Sequence, residues 1–277
     1  METIEYQRMR EAEEYHWWYA GLHDLALRWI RREAARVPHP LDILDAGCGT
    51  GRLCQLMQPF GPVTGCDLHP LAVAATASRG IPRVLQRNLV TDELGVEAYD
   101  LITCMDVLYH RAVVDAATTL LNLQRALKGG GLLMVHVAAF ECLRGAHDES
   151  VHTRRRYRRQ ELARLLRATG MEIEFISYRL PLGFVPALCR RRLSRQRSTP
   201  GAASPSEFSR WSSGGSSPWL TRLIRLENRW LLAGGRIPFG TSLFAVGRKR
   251  VSSNLPVGRL QPDARPGPPT PGRTLAV

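Results

Sequence analysis

One stretch of the 277-residue chain constrains its fold more than any other, the segment LDILDAGCGTGRL at residues 41–53. It predicts a buried strand ending at Asp45, a turn carrying Gly47, Gly49 and Gly51, and a helix starting near Arg52. Glycines at alternate positions let the backbone approach a ligand where any Cβ would collide. The dinucleotide fingerprint G-x-G-x-x-G is not met, because Arg52 stands where its third glycine would be. The G-K-[ST] ending of a P-loop is also missing. A carboxylate at Asp45, just before the turn, disfavours a pyrophosphate and favours a ligand carrying ammonium or sulfonium charge, chemistry that suits S-adenosylmethionine. A tight turn with no ligand is the alternative.

The rest of the chain fits the same architecture. PVTGCD, PRVLQ, YDLITCMD, GLLMVHVAA and MEIEFISY read as further strands, separated by helical patterns at 52–58, 70–78, 113–127 and 159–169. Strand–helix alternation of this kind predicts an α/β fold with a mostly parallel sheet and helices on both faces. Near-continuous apolar strands such as LLMVHVAA fit a sheet buried on both sides. An amphipathic helix over 19–36 ends at the Pro38/Pro40 pair. Lys128 with Gly129–Gly131, and Thr169 with Gly170, read as helix stops.

Further candidate contacts follow the turn in register. Asp67 ends the second strand, where an acidic side chain can accept hydrogen bonds from both hydroxyls of a ribose; Leu68 beside it can pack on adenine. Asn88 and Leu89 follow the third strand and can frame the adenine edge, with Cys48 in the turn itself. Met105, Asp106 and Val107 follow the fourth strand and line the same crevice at the carboxyl ends of the strands. Capping of the next helix is the structural alternative for Asp67.

These segments resemble the class I S-adenosylmethionine-dependent methyltransferases. DAGCGTG resembles their first motif, GCDLHP their acidic loop, and YDLITCMDVLYH with LQRALKGGGLLMVHV their fourth and fifth strands. The likeness runs over about 41–180, and TSLFAVGRK resembles their antiparallel seventh strand. It implies a Rossmann-like seven-stranded sheet with an N-terminal helical cap and an insertion before the last strand. EYHWWYAGLH and HDESVHTRRRY resemble a bacterial branch similar to the quinone-biosynthesis methyltransferases. The resemblance implies Asp45, Gly47, Gly49, Asp67 and Asn88 as cofactor contacts. The chain departs from the family at Val137-Ala138-Ala139, where Val-Pro-Ala often ends the fifth strand.

Methyl transfer needs positioning first, because the cofactor supplies an activated methyl group. A hydroxyl nucleophile also needs a base, most often histidine. The loop AHDESVHTRRRY offers His147 or His152 as base, Asp148 to orient it, and Arg154–Arg156 to hold an anionic acceptor. The alternative makes them loop pins and solvated charge. Tyr109-His110 could face the acceptor or pack beneath the N-terminal helix. Tyr15, His16, Trp17, Trp18 and Tyr19 could form a lid or staple the first helix to the sheet. Cys142, His147 and His152 match no common zinc spacing, so no metal is expected.

Composition and charge bound the rest. With 44% hydrophobic and 23% charged residues the chain is neither collagen-like nor wholly disordered. The longest apolar runs, about 131–140 and 180–189, are half the roughly 20 residues of a spanning helix. The charged start, METIEYQRMREAEEYHWW, predicts no signal peptide and a cytoplasmic protein. Six scattered cysteines without C-x-x-C spacing predict reduced, mostly buried thiols. The net charge of +13 is concentrated: residues 151–200 hold thirteen arginines against Glu161, Glu172 and Glu174.

A basic insertion with Trp219, Arg222, Arg225 and Arg229 at helical spacing suits core packing or an anionic membrane face. Nucleic acid is disfavoured: no RNA-binding module, no N-P-P-Y-type motif and no Pro-Cys nucleophile occurs. The expected organisation is a helical cap at 1–40, the cofactor-binding core at 41–180, a basic insertion at 181–238, the final strand at 239–250 and a disordered tail at 251–277. The expected partner is a small-molecule or lipid-linked acceptor, methylated at oxygen. A non-catalytic cofactor-binding or partner-binding protein on the same fold is the rival, and oligomeric state stays open.

Overall fold

The computed structural model describes residues 3–196 and 217–251. The chain runs through helices α1 (Thr3–Ala12) and α2 (Trp17–Ala34), strand β1 (Ile43–Ala46), helix α3 (Arg52–Met57), β2 (Val63–Asp67), α4 (Pro70–Ala77), β3 (Arg83–Gln86) and β4 (Tyr99–Met105). It continues with α5 (Ala116–Ala126), β5 (Leu127–Ala138), the short α6 (Ala146–Ser150), α7 (Arg159–Ala168), β6 (Met171–Arg179), α8 (Pro181–Gln196), α9 (Pro218–Leu232) and β7 (Ser242–Lys249). The strands form a seven-stranded sheet in the order β3-β2-β1-β4-β5-β7-β6. β1 to β5 pair in parallel, and β7 runs antiparallel to both β5 and β6. This is the Rossmann-like α/β architecture expected from the alternation.

Burial explains why the apolar runs became strands. Every residue of β1 is buried, as are the central residues of β4 and β5, between helices on the two faces. β1 lies between β2 and β4, so the order in which the strands are added reverses beside it and leaves a crevice at the carboxyl ends of the strands. Helix starts are fixed by local chemistry: Asp115 accepts from the amides of Ala117 and Thr118 to begin α5, and His69 with Pro70 begins α4.

The N-terminal helices and the insertion meet. Gly21 of α2 lies so close to α9 that a Cβ there would sit 2.1 Å from Ile224. Asn228 of α9 donates to the Gly21 carbonyl at 2.8 Å and to Asp24 at 2.9 Å. On the other side of α2, Glu33 makes a two-pronged ion pair with Arg248 of β7, 2.8 Å at each oxygen.

Two expectations change. Lys128 and Gly129–Gly131 do not cap a helix; α5 ends at Ala126 and β5 already begins at Leu127. Lys128 is drawn into the sheet edge by Asp42 at 2.6 Å and Asp100 at 2.9 Å. α8, with Pro186 inside it, continues to Gln196, into the stretch after Arg190 whose Ser, Gly, Pro and Arg content reads as loop in the sequence. α1 lies within the expected helical cap at 1–40, ahead of the amphipathic helix read at 19–36. The remainder of the expected loop, 197–216, and the expected tail from 252 lie outside the described residues.

Candidate cofactor cleft

The carboxyl ends of β1, β2, β4 and β5 open into a cleft of about 1090 Å³. Its floor is the turn after β1, where Gly47, Gly49 and Gly51 have φ of +83°, +56° and +82°. A Cβ on Gly47 would stand 2.1 Å from Val107, so the conformation and the close approach both require glycine there. Gly47, Cys48 and Gly49 line the cleft. Gly51 lies behind them as the left-handed residue that opens α3, against Thr76 of α4.

Two carboxylates flank the turn. Asp45 is buried; it accepts from the Thr103 hydroxyl at 2.6 Å and from the Cys54 thiol at 3.3 Å. Burial raises its pKa to about 6 against the pull of those two donors, and the charge of Asp67 adds to the rise. Asp67 accepts from the Gly49 amide at 3.1 Å and the His69 amide at 2.9 Å. It therefore fastens the glycine turn to β2; the helix cap of α4 is His69. Burial raises the pKa of Asp67 as well. Each carboxylate oxygen keeps a second lone pair for a ligand.

The other expected contacts are brought to the same place. Leu68 is half exposed at the rim, Leu89 is buried, and Asn88, Met105, Asp106 and Val107 line the wall. The Asn88 carboxamide oxygen accepts from the Val90 amide at 3.0 Å, shaping the turn after β3.

Helix α1 covers the glycine turn. Met9 reaches to within 2.7 Å of where a Gly49 Cβ would be, and the Tyr6 ring stacks 4.8 Å from His69. Glu13, 7% exposed, accepts from the Thr50 hydroxyl and pairs with Arg79 at 3.2 Å. Its carboxyl is pushed up to about 7, by burial above all. Arg79 also bonds the Thr50 carbonyl at 2.6 Å and Glu14 at 2.7 Å. The aromatic segment contributes to the roof: Trp17, Trp18 and Tyr19 line the cleft at the start of α2, capped by His16. They border the cleft while belonging to the helix that packs on α9.

The loop after β5 is organised differently from the expected arrangement. The Asp148 carboxylate is bonded by Arg156 at 2.9 and 3.1 Å and by the Gly145 amide at 2.8 Å. Those donors hold its pKa down despite burial. Arg156 also donates to the Ala139 carbonyl at 2.9 Å, and Arg154 to the Val113 carbonyl at 2.9 Å. These arginines spend their donors on closing the loop. Arg155 lies over the Tyr157 ring at 4.4 Å. His147 lines the cleft; His152, at φ +55°, packs its ring 5.8 Å from His110 and is not among the cleft-lining residues described. Tyr109 and His110 do line it, and burial lowers the pKa of His110 to about 4.

Residues that sequence patterning missed stand opposite. His136 of β5, buried in an apolar strand, bonds Asp106 at 2.9 Å under the edge of Trp18. Ser242 at the start of β7 and Glu227 of α9 also reach the cleft, which ends between Leu182 and Pro186 of α8 and Trp219, Leu223 and Trp230 of α9. Four of the cysteines (Cys48, Cys54, Cys66 and Cys104) are buried, Cys142 and Cys189 are exposed, and all are free thiols.

The fold and this cleft define a methyltransferase, and residues 17–174 match the family model described as a methyltransferase domain. The chain belongs to that family. It is 33% identical over 137 residues to the ubiquinone biosynthesis O-methyltransferase of Pseudomonas paraeruginosa, covering 44% of this chain and 57% of that protein. The chain thus spans 57% of that curated relative's length. The corresponding protein of Thiobacillus denitrificans is 30% identical over 192 residues, with 58% and 79% covered. A TehB-like SAM-dependent methyltransferase from Corynebacterium glutamicum shares the fold at a TM-score of 0.51 and 18% identity, over 88% of this chain and 95% of that one.

S-adenosylmethionine is the family's cofactor, and the donor set fits it. An acidic pair, buried Asp45 and half-buried Asp67, faces a turn that admits a close ligand, and no basic side chain lies in the turn itself to demand a phosphate. Among the described residues no helix is long and apolar enough to cross a membrane.

Proposed function

We propose that the protein transfers the methyl group of S-adenosylmethionine to an oxygen of a small-molecule or lipid-linked acceptor. The observation that carries this reading is the single cleft that joins the glycine turn to an apolar mouth between α8 and α9. Its volume, about 1090 Å³, stands at the upper end of the roughly 300–1,000 Å³ of small-molecule sites, which suits a cofactor and an acceptor together.

On this reading Asp67 holds the ribose hydroxyls, and Leu68, Asn88 and Leu89 frame the adenine. Gly47, Cys48 and Gly49 border the methionine part, with Gly51 shaping the turn, while Asp45 balances its positive charge. Met105, Asp106 and Val107 close the far side. Bound S-adenosylmethionine supplies an electrophilic methyl group on a sulfonium. The chain excludes water with α1 and Trp17–Trp18 and aligns the acceptor for in-line attack. The relatives named as ubiquinone biosynthesis O-methyltransferases support a hydroxyl on an aromatic ring that carries an apolar tail.

A peripheral contact with an anionic membrane goes with this acceptor class. Trp219 and Trp230 are 67% and 60% exposed at the cleft mouth, and Arg222, Arg225 and Arg229 are exposed on the same helix. Tryptophan and arginine together suit an interfacial helix.

Calorimetric titration of S-adenosylmethionine into the wild type and Asp67→Ala tests the cofactor assignment. Micromolar binding that weakens at least about 30-fold in the variant is expected, roughly two lost charge-assisted hydrogen bonds. A folded wild type that does not bind overturns the enzyme reading and leaves the partner-binding rival.

A further inference from the structure

We infer that His136 is the general base of the reaction, positioned by Asp106. The inference rests on the methyl-transfer reading above and names the group that takes the acceptor's proton.

Two neighbouring strands bring the pair together. Met105, the last residue of β4, is the register partner of His136 on β5. Asp106 follows at once, and its amide donates to the His136 carbonyl at 2.9 Å. That turn sets Asp106 at φ +61°, a left-handed conformation uncommon outside glycine, and swings its carboxylate back onto the imidazole. Nδ1 of His136 lies 3.0 and 2.9 Å from the two carboxylate oxygens. A carboxylate can only accept, so Nδ1 carries the hydrogen, and a ring with that one hydrogen presents a lone pair at Nε2.

That Nε2 is buried with no hydrogen-bond partner among the described residues, and His136 lines the cleft. The side chain is 1% exposed, so the lone pair is sealed from bulk water. A buried acceptor left empty is destabilising unless a ligand group completes it. A hydroxyl hydrogen is the complementary group. The Ser242 hydroxyl, also buried and unpartnered, lines the same cleft on β7. Ser242 pairs with Ala138 and Phe244 with His136, which puts Ser242 diagonal to His136 on one face of the sheet. Two such groups suit an acceptor with two neighbouring oxygens, such as a catechol.

In the step, the acceptor O–H bond breaks and its proton passes to Nε2. The freed oxygen pair forms the new O–C bond as the methyl carbon's bond to the sulfonium breaks, leaving that pair on sulfur. The Asp106 carboxylate stabilises the imidazolium until its proton is lost to water. Asp106 is a positioning residue; His136 touches the acceptor.

The test uses full-length protein with ¹⁵N-labelled histidine, loaded with S-adenosylhomocysteine and titrated with 4-octylcatechol. Long-range ¹H–¹⁵N spectra are expected to contain a ring protonated at Nδ1 and bare at Nε2, absent from His136→Asn. Its Nε2 resonance moves as the catechol binds, and Asp106→Asn switches the ring to the other tautomer. A wild-type His136 protonated at Nε2, or an Nε2 resonance indifferent to the catechol, overturns the assignment.

Transfer of the methyl group to the same catechol gives the second arm. In His136→Asn, kcat falls at least about 100-fold, while cofactor Kd stays within about twofold. A kcat within about threefold of wild type overturns the base and leaves the methyltransferase reading standing. Loss of cofactor binding by the wild type overturns that reading itself. If the wild type does not turn the catechol over, the spectra decide.

Discussion

Asp45 shows how one buried carboxyl couples the cleft to pH. Its pKa of about 6 exceeds the ordinary value of about 3.9 because burial disfavours the anion. The ligand-free fold therefore favours the protonated form, and Asp45 withdraws stability as pH rises from about 4 through about 6. A cation bound beside it favours the anion, so binding expels the proton. Affinity for S-adenosylmethionine is expected to rise by up to about tenfold per unit as pH increases towards about 6, then to level off. Calorimetry between about pH 5 and pH 7.5 checks this, and Asp45→Asn should flatten the slope. Asp45 and the glycines were legible in the sequence because each carries a backbone or charge requirement that few patterns share. His136 was not: one histidine in GLLMVHVAA reads as a core residue, and its meaning depends on a register that only pairing with β4 supplies. Asp148 was legible as a charged loop residue, but its ion pair with Arg156, eight residues further on, was not.

Among the elements, the strands and the helices between them were legible from period and burial. α1 was legible only as part of the helical cap expected at 1–40, because TIEYQRMREA is polar nearly all round and offers no apolar stripe of its own. Ion pairs hold it down, and they make a prediction. Arg79→Ala leaves Glu13 buried without its counter-charge, beside a Thr50 carbonyl that also loses its donor. The carboxyl of Glu13, already at about 7, should rise further, so the loss of stability grows as pH rises. Urea melts are expected to give a loss of roughly 3 kcal/mol at pH 8 and clearly less at pH 6. A loss independent of pH would mean that Glu13 does not carry the effect. α8 escaped notice because the arginine- and serine-rich stretch after Arg190 reads as loop, although the helix runs on to Gln196.

Over the whole molecule, the N-terminal helices and the insertion between β6 and β7 close one cleft from two sides, joined where α9 rests on Gly21. The exposed arginines of α9 then face whatever surface delivers the acceptor. Sedimentation with phosphatidylglycerol vesicles should capture the wild type at low salt. The triple variant Arg222→Glu, Arg225→Glu, Arg229→Glu should lose at least about 100-fold, on the order of 1 kcal/mol per charge. Equal capture of both proteins would remove the membrane from the proposal. The latch of α1 over the glycine turn carries a kinetic consequence. If the proposed cofactor sits on the glycine turn, Met9 against Gly49 and Arg79 bridging to Glu13 and Glu14 put α1 against it, and release of spent cofactor is expected to wait until that helix lifts. Rapid mixing should therefore reveal a burst of one methylated product per active site, followed by a slower steady rate set by unlatching. Arg79→Ala should shrink the burst by speeding the second phase, so that a weaker fold turns over faster.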